Sequence, residues 1–174
     1  STTYNLAYST VAFVDNVGNA EINGLELDAT YKPNDTLTLS GYVVSNDPSL
    51  SEDYYDVSGV LQANSGNRLA YVPELSYVLG LDKVLSIFGK PGYMSIDYSY
   101  TGDRYTSQAN ELKLPSYAIA NMRVGVESNN RSMEVFISNL TDENGYLSRY
   151  NDFGDIRRTQ NRPRVIGLRF KYRY

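Results

Sequence analysis

The chain has 174 residues, the length of one domain, with a net charge of −4 and no Cys, His or Trp. The lack of His removes Ser-His-Asp and Cys-His catalysis and the commonest metal ligand, and an acidic chain without a basic block does not suit nucleic acid. No stretch approaches the roughly 18 apolar residues of a transmembrane helix. The sequence therefore predicts no enzyme, no metal site, no cofactor and no nucleic-acid partner.

The N-terminal third alternates apolar and polar residues in segments of strand length. We predict strands over about 4–14, 20–32 and 36–45, with a short Pro33-Asn34-Asp35 turn between the last two. In the second strand, one face takes Leu25, Leu27, Ala29 and Tyr31, and the other takes Glu26, Asp28 and Thr30. The alternation is lost over 46–73, which is too long for an ordinary hairpin connection.

The rest of the chain repeats this pattern of paired strands and long connections. Predicted strands cover 74–88 and 93–104, joined by a tight turn at Gly89, and then 117–127 and 133–140, joined by a short turn at Ser128. Longer loops cover 105–115 and 141–163. Short turns and long loops therefore fall on opposite rims, as in outer-membrane barrels of antiparallel strands.

The last ten residues alternate without interruption to the end of the sequence. Ile166, Leu168, Phe170, Tyr172 and Tyr174 share one face, and Gly167, Arg169, Lys171 and Arg173 share the other. An apolar face ending in aromatic residues suits a membrane interface. We predict an all-β, antiparallel transmembrane barrel segment of about eight strands, each about 9–12 residues long.

The face opposite the apolar one carries many charges. Its predicted members are Glu26, Asp28, Asp97, Asp103, Arg123, Glu127, Arg169, Lys171 and Arg173. An eight-stranded barrel has an interior just filled by side chains, so this set would have to form a salt-bridged core, whereas a wider barrel would expose it to a wet lumen. We favour the wide lumen.

Five segments, in order, resemble the C-terminal part of the barrel of TonB-dependent outer-membrane receptors. They are Asn19-Ala-Glu-Ile-Asn-Gly-Leu-Glu-Leu-Asp28, Lys32-Pro-Asn-Asp-Thr-Leu-Thr-Leu39, Gly66-Asn-Arg-Leu-Ala-Tyr-Val-Pro-Glu-Leu-Ser76, Ser138-Asn-Leu-Thr-Asp142 and Arg162-Pro-Arg-Val-Ile-Gly-Leu-Arg-Phe170. Each motif alone is weak, but the ordered set spans nearly the whole chain.

The resemblance implies that residues 1–174 are the C-terminal segment of a barrel of about 22 strands in the outer membrane of a Gram-negative bacterium. It implies energy-coupled uptake of a scarce nutrient such as siderophore-bound iron, cobalamin or an oligosaccharide. The implied partners are outer-membrane lipid, the remaining strands and plug, the TonB complex, the barrel-assembly machinery and a small-molecule nutrient. Phe170, Tyr172 and Tyr174 would form the signal read by the assembly machinery.

The predicted loops carry the candidate ligand contacts, because aromatic faces stack on sugars, catecholates and planar ligands and arginines meet anions. The candidates are Tyr54, Tyr55, Tyr105, Tyr146, Arg149, Tyr150 and Phe153. Girdle or loop packing is the competing interpretation for each aromatic residue. Asn-X-Ser/Thr sequences stand at Asn34, Asn130 and Asn139. Two of the three lie in or beside predicted short turns, so they are interpreted as turn formers. The Glu26/Asp28 pair is interpreted as lumen wall rather than an acid/base pair.

A second hypothesis remains open at this point. The chain would then be a self-contained eight-stranded barrel with a structural or adhesion role, in which the segment near Tyr4 pairs with the segment near Tyr172.

Overall fold

The computed structural model describes residues 19–152 and 155–173, so the predicted strand 4–14, Phe153 and Tyr174 lie outside the described residues. The described residues form β-strands, turns and loops. The strands are β1 (Ala20–Asn34), β2 (Leu37–Leu50), β3 (Tyr54–Tyr55), β4 (Leu61–Ala63), β5 (Leu75–Ile87), β6 (Lys90–Thr101), β7 (Arg104–Tyr105), β8 (Lys113–Leu114), β9 (Tyr117–Ser128), β10 (Arg131–Ser138), β11 (Tyr146–Asp152), β12 (Asp155–Gln160) and β13 (Val165–Tyr172).

Seven strands form one antiparallel sheet in the order β1-β2-β5-β6-β9-β10-β13. Each neighbours the next along the chain because the connections are hairpins, some tight and some long. The remaining strands form three small pairs, β3–β4, β7–β8 and β11–β12, inside the long loops. The all-β, antiparallel prediction is confirmed. Among the described residues, no helix is long and apolar enough to cross a membrane.

The pairing register keeps the predicted apolar face continuous across the sheet. Leu81, for example, lies opposite Leu39 on one side and Ile96 on the other, and Leu168 lies opposite Val135. Cross-strand partners share a face, so the apolar stripes of all seven strands merge. Leu168 is 75% exposed and Leu25 is 73% exposed. An exposed apolar surface of this extent requires an apolar surrounding, which a bilayer provides.

The opposite face is polar, and one of its rows shows how the sequence organises it. Tyr93, Gly125, Glu134 and Arg169 are successive cross-strand partners on β6, β9, β10 and β13. Because Gly125 has no side chain, the Tyr93 ring lies across it, and its hydroxyl donates to Glu134 Oε2 at 2.5 Å. Arg169 Nη1 meets the other carboxylate oxygen at 2.7 Å.

Two further rows extend the polar network toward the loops. Ser95 donates to Asp82 at 2.6 Å and accepts from Arg123 at 3.1 Å. One level higher, Asn121 Nδ2 donates to Asp97 Oδ2 at 2.6 Å. Hydrogen-bonded polar rows of this kind suit a wall that borders water, in agreement with the predicted face assignment.

The two rims of the sheet differ as predicted, with turns near Asn34, Phe88 and Asn129 on one side and the long loops on the other. Three details of the prediction were wrong. β2 continues to Leu50, past the predicted end, and the long loops contain short strand pairs. Asp103 is not on the wall, because β6 ends at Thr101 and the Asp103 carboxylate meets Arg68 and Lys113 of the loops at 2.9 and 3.0 Å.

Candidate functional site

The long loops form a connected rim above the sheet. We call them loop A (residues 51–74), loop B (residues 102–116) and loop C (residues 139–164). Loop A contains β3 and β4, loop B contains β7 and β8, and loop C contains β11 and β12. Rim loops carried on a rigid sheet are where barrels place their ligand-contacting residues.

Arg68 joins loop A to loop B. Its guanidinium contacts Asp103 Oδ2 at 2.9 Å and the Asp103 carbonyl at 2.7 Å, and it lies 5.4 Å from the centre of the Tyr105 ring. Asn110 of loop B brackets the Arg68 backbone, accepting from its N–H at 2.8 Å and donating to its carbonyl at 2.8 Å. These contacts make loops A and B one packed unit.

Lys113 completes this joint by meeting Asp103 Oδ2 at 3.0 Å. The hydrogen bond from Lys113, helped by Arg68 and opposed by burial, holds the pKa of the Asp103 carboxyl below its usual value. The same contact raises the pKa of the Lys113 ammonium. Both groups are therefore charged at neutral pH, and the joint is intact there.

Arg104 and Arg149 join loop B to loop C. Arg104 Nη2 donates to the carbonyls of Tyr146 at 3.1 Å and Leu147 at 3.4 Å, while its guanidinium lies 5.5 Å from the Tyr117 ring centre. Arg149 Nη1 donates to the Lys113 carbonyl at 3.2 Å. We call the space between β8 and β11 the B–C seam, and both arginines border it.

Asn139 closes the base of loop C. It is 3% exposed and has a positive φ of 53°, a conformation that Asn tolerates better than most residues. Its Nδ2 donates to the carbonyls of Glu143 at 2.9 Å and Arg162 at 3.0 Å, and its Oδ1 accepts from the Glu143 N–H at 2.8 Å. Its own N–H reaches Asn121 of the wall at 3.0 Å.

Asn161 and Asp142 strengthen the same base. Asn161 exchanges hydrogen bonds with Gly145 through both its side chain, at 2.7 Å, and its backbone, at 3.0 Å. Asp142 Oδ1 accepts from the Arg164 N–H at 2.8 Å. Loop C is therefore held where it leaves β10 and where it returns to β13.

The structure separates the predicted ligand-contact residues by accessibility. Tyr55 is 52% exposed and Tyr150 is 51% exposed, so both side chains are accessible to solvent. Tyr54 is half-buried opposite Ala63. Tyr105 packs under Arg68, as described above.

Tyr146 and Arg149 lie together in loop C. The guanidinium carbons of Arg149 and Arg158 lie 5.9 and 5.3 Å from the Tyr146 ring centre, and Arg158 also donates to the Tyr146 hydroxyl at 2.9 Å. Aromatic contact of this kind fixes the two arginines beside the B–C seam.

The predicted assembly signal lies on the apolar face of β13. Phe170 and Tyr172 are both exposed there, and Phe170 lies opposite Met133. The Arg131 guanidinium lies 5.7 Å from the centre of the Tyr172 ring, near the short-turn rim. Whether the assembly machinery reads these residues stays a prediction.

Sequence reasoning missed three residues that organise the rim, namely Arg68, Arg104 and Asn139. Arg68 and Asn139 stand within two of the quoted motifs, so a signal was present, but nothing in the alternation indicates their partners. Arg104 ends a predicted strand and carries no signal of its own. Within residues 19–152 and 155–173, no three acidic side chains gather into a possible metal site.

Comparison with known proteins gives one family match and several solved structures. A family model described as TonB dependent receptor-like, β-barrel, matches residues 1–140. The ferric yersiniabactin uptake receptor FyuA of Yersinia pestis superposes with a TM-score of 0.78 at 18% identity, over 90% of this chain and 24% of that one.

Two structures from Acinetobacter baumannii superpose similarly. The siderophore receptor PiuA gives a TM-score of 0.76 at 21% identity, over 91% of this chain and 22% of its own. The ferric preacinetobactin receptor BauA gives 0.68 at 19% identity, over 90% and 22%. The chain thus spans at most 24% of the length of these receptors, and at such identities the likeness shows the shared fold.

Proposed function

Because the chain belongs to the TonB-dependent receptor β-barrel family, we propose that it forms wall and outer vestibule of a receptor that imports an iron-bound siderophore. The receptor would reside in the outer membrane of a Gram-negative bacterium. The observation that carries the proposal is the two-faced sheet: a continuous exposed apolar face and a hydrogen-bonded polar face, which together suit a wall between lipid and water.

The siderophore class is favoured over other nutrients by the solved structures with this fold. FyuA is a receptor for ferric yersiniabactin uptake, BauA for ferric preacinetobactin, and Fiu of Escherichia coli for ferric-catecholate import. Tyr55 and Tyr150 offer the exposed ring faces that planar chelating groups stack on. We therefore assign ligand contact first to these two residues.

Transport requires parts that this segment does not supply. We propose that a plug, the other strands and the TonB complex act with it, because the matched receptors are at least four times longer than the matched region. We also propose that Phe170 and Tyr172 are needed for barrel assembly. Phe170→Asp should then lower the yield of heat-modifiable receptor in outer membranes, and an unchanged yield would contradict this role.

Uptake of radiolabelled iron tests the function in cells that lack the native receptor and express the full-length protein. Transport of ferric catecholate and hydroxamate complexes should appear with wild-type receptor and not with empty vector. Tyr150→Ala should raise the concentration for half-maximal uptake by about tenfold, which corresponds to about 1.4 kcal/mol of lost contact.

Phe88→Ala is the control, because Phe88 is an aromatic residue on the opposite rim, 99% exposed against 51% for Tyr150. Its uptake should equal that of wild type. Iron uptake that is absent for every complex, from a receptor present at normal level in the outer membrane, would refute the iron-siderophore assignment.

The competing hypothesis of a self-contained barrel is tested by the isolated chain. The segment near Tyr4, whose pairing with the segment near Tyr172 this hypothesis requires, lies outside the described residues. A compact, heat-modifiable monomer of this chain alone in detergent would favour closure and an adhesion role. Dependence of folding on the rest of the receptor would favour the receptor segment.

A further inference from the structure

The B–C seam contains a buried positive charge that no carboxylate balances. Arg104 is 6% exposed, and its guanidinium contacts two backbone carbonyls and the face of Tyr117. Within the described residues, no Asp or Glu forms an ion pair with it. A buried cation without an anionic partner is strongly disfavoured, so its surroundings need a negative charge.

Two neighbouring arginines also lack a carboxylate partner among the described residues, although Arg149 is half-buried and Arg158 is exposed. Arg149 and Arg158 flank Tyr146 and form no ion pair with a carboxylate of the described chain. The Asp103 carboxylate of loop B already forms ion pairs with Arg68 and Lys113. The seam therefore carries an excess of positive charge.

Two hydrogen-bond donors in the seam remain unused. Arg104 Nη1 and Arg149 Nε are both buried, and neither has a hydrogen-bond partner among the residues that the structure describes. Buried donors are almost always satisfied, and donors on charged groups most strongly so. Both unused donors belong to guanidinium groups, whose preferred acceptors are the oxygens of carboxylates and phosphates.

The geometry points to an oxyanion-binding site in the B–C seam, formed by Arg104 and Arg149 with Arg158 beside them. The ligand is a carboxylate or phosphate group, either free in solution or carried on a larger solute. Because Arg104 holds loop C through the Tyr146 and Leu147 carbonyls, the bound anion also fixes loop C against loop B. The site does not depend on which cargo the receptor imports.

Anion binding to the purified full-length receptor in detergent tests this inference without any transport step. Inorganic phosphate and citrate are titrated separately by calorimetry, at ionic strength matched with sodium chloride. Saturable binding of at least one probe is expected. Tighter phosphate binding would indicate a phosphate ligand, and tighter citrate binding would indicate a carboxylate carried on a solute.

Variants locate the site. Arg104→Gln and Arg149→Gln should each weaken binding by about tenfold or more, since each removes charge-assisted donors. Arg149 lies on a loop hairpin, so its variant remains informative if Arg104→Gln fails to fold. Arg162→Gln is the control, because Arg162 is an exposed loop C arginine at the base of the loop, beside Asn139, and it should bind as wild type.

Several results would overturn the inference. If folded wild-type receptor binds neither probe, the partner of the Arg104 charge is a carboxylate elsewhere in the receptor. Equal binding by all four proteins, or binding that follows chloride concentration alone, would indicate nonspecific attraction. None of these outcomes bears on the proposed function, because iron uptake by the same receptor is measured separately.

Discussion

Replacement of Asn139 by Ala should release the base of loop C. The change removes three side-chain hydrogen bonds, two to carbonyl groups and one from the Glu143 N–H. Each contributes about 1 kcal/mol, and Ala in the left-handed conformation costs about 1 kcal/mol more than a residue that tolerates it. The free energy of local opening should therefore fall by about 4 kcal/mol, or nearly a thousandfold in the opening equilibrium.

Hydrogen exchange of the full-length receptor measures this opening. The informative amides are those of Gly145 and Asn161, which bond across the base of the loop without using Asn139. Their protection should fall in Asn139→Ala, while the amide of Leu81 in the sheet should exchange as in wild type. The expected pattern is local, because the strands of the wall remain paired.

Asn139→Gly separates the two contributions. Gly loses the same hydrogen bonds but adopts positive φ without strain, so its effect should be about 3 kcal/mol. A change below about 1 kcal/mol in Asn139→Ala would refute the reasoning, since the loss of a buried hydrogen-bonding group should exceed it. Equal effects of Asn139→Gly and Asn139→Ala would refute only the backbone contribution and would leave the hydrogen-bond contribution standing.

Three further changes probe the two faces and the loop A–loop B joint. Leu168→Arg places a charge on the apolar face and should destabilise the folded receptor in vesicles by about 2–4 kcal/mol in urea titrations, whereas Leu168→Ile should be nearly neutral. Glu134→Gln loses the charge that Arg169 meets at 2.7 Å and should cost about 1–3 kcal/mol; a midpoint equal to wild type would contradict the polar row. The lowered pKa of Asp103 means that its contribution is present above the ordinary carboxyl value of about 4 and is lost as pH falls through the folded value. Proteolysis of loop A should therefore accelerate in acid, and Asp103→Asn should be cleaved faster at neutral pH and lose this acid dependence.

The faces of the sheet were predictable because strand geometry fixes them. Once Leu25 and Leu27 are assigned to one side, their partners across each hairpin must follow, and the register carries the assignment as far as Leu168. The short turns were equally readable: at the Asn34 turn, the Thr36 N–H donates to Asn34 Oδ1 at 3.0 Å. Both features depend on residues close in sequence or on a strict period.

The rim was not predictable in the same way, because its contacts join residues far apart without a period. Arg68 meets Asp103 across 35 positions, and Asn139 meets Arg162 across 23. Asn139 has a positive φ, and its side chain holds together both ends of loop C, a role that the Asn-X-Thr sequence does not indicate. In the sequence, Asp103 continues the alternation that places Asp97 on the polar face. The strand ends at Thr101, however, so Asp103 lies in loop B and not on the wall.

The contacts at the rim also connect the wall to the loops. Asn121 donates to Asp97 on the polar face and accepts from the Asn139 N–H at the base of loop C. Loop C then meets loop B through Arg104, and loop B meets loop A through Arg68. Each of these contacts uses a charged or hydrogen-bonded side chain. The exposed rings of Tyr55 and Tyr150, on loops A and C, are therefore held in relation to each other through loop B.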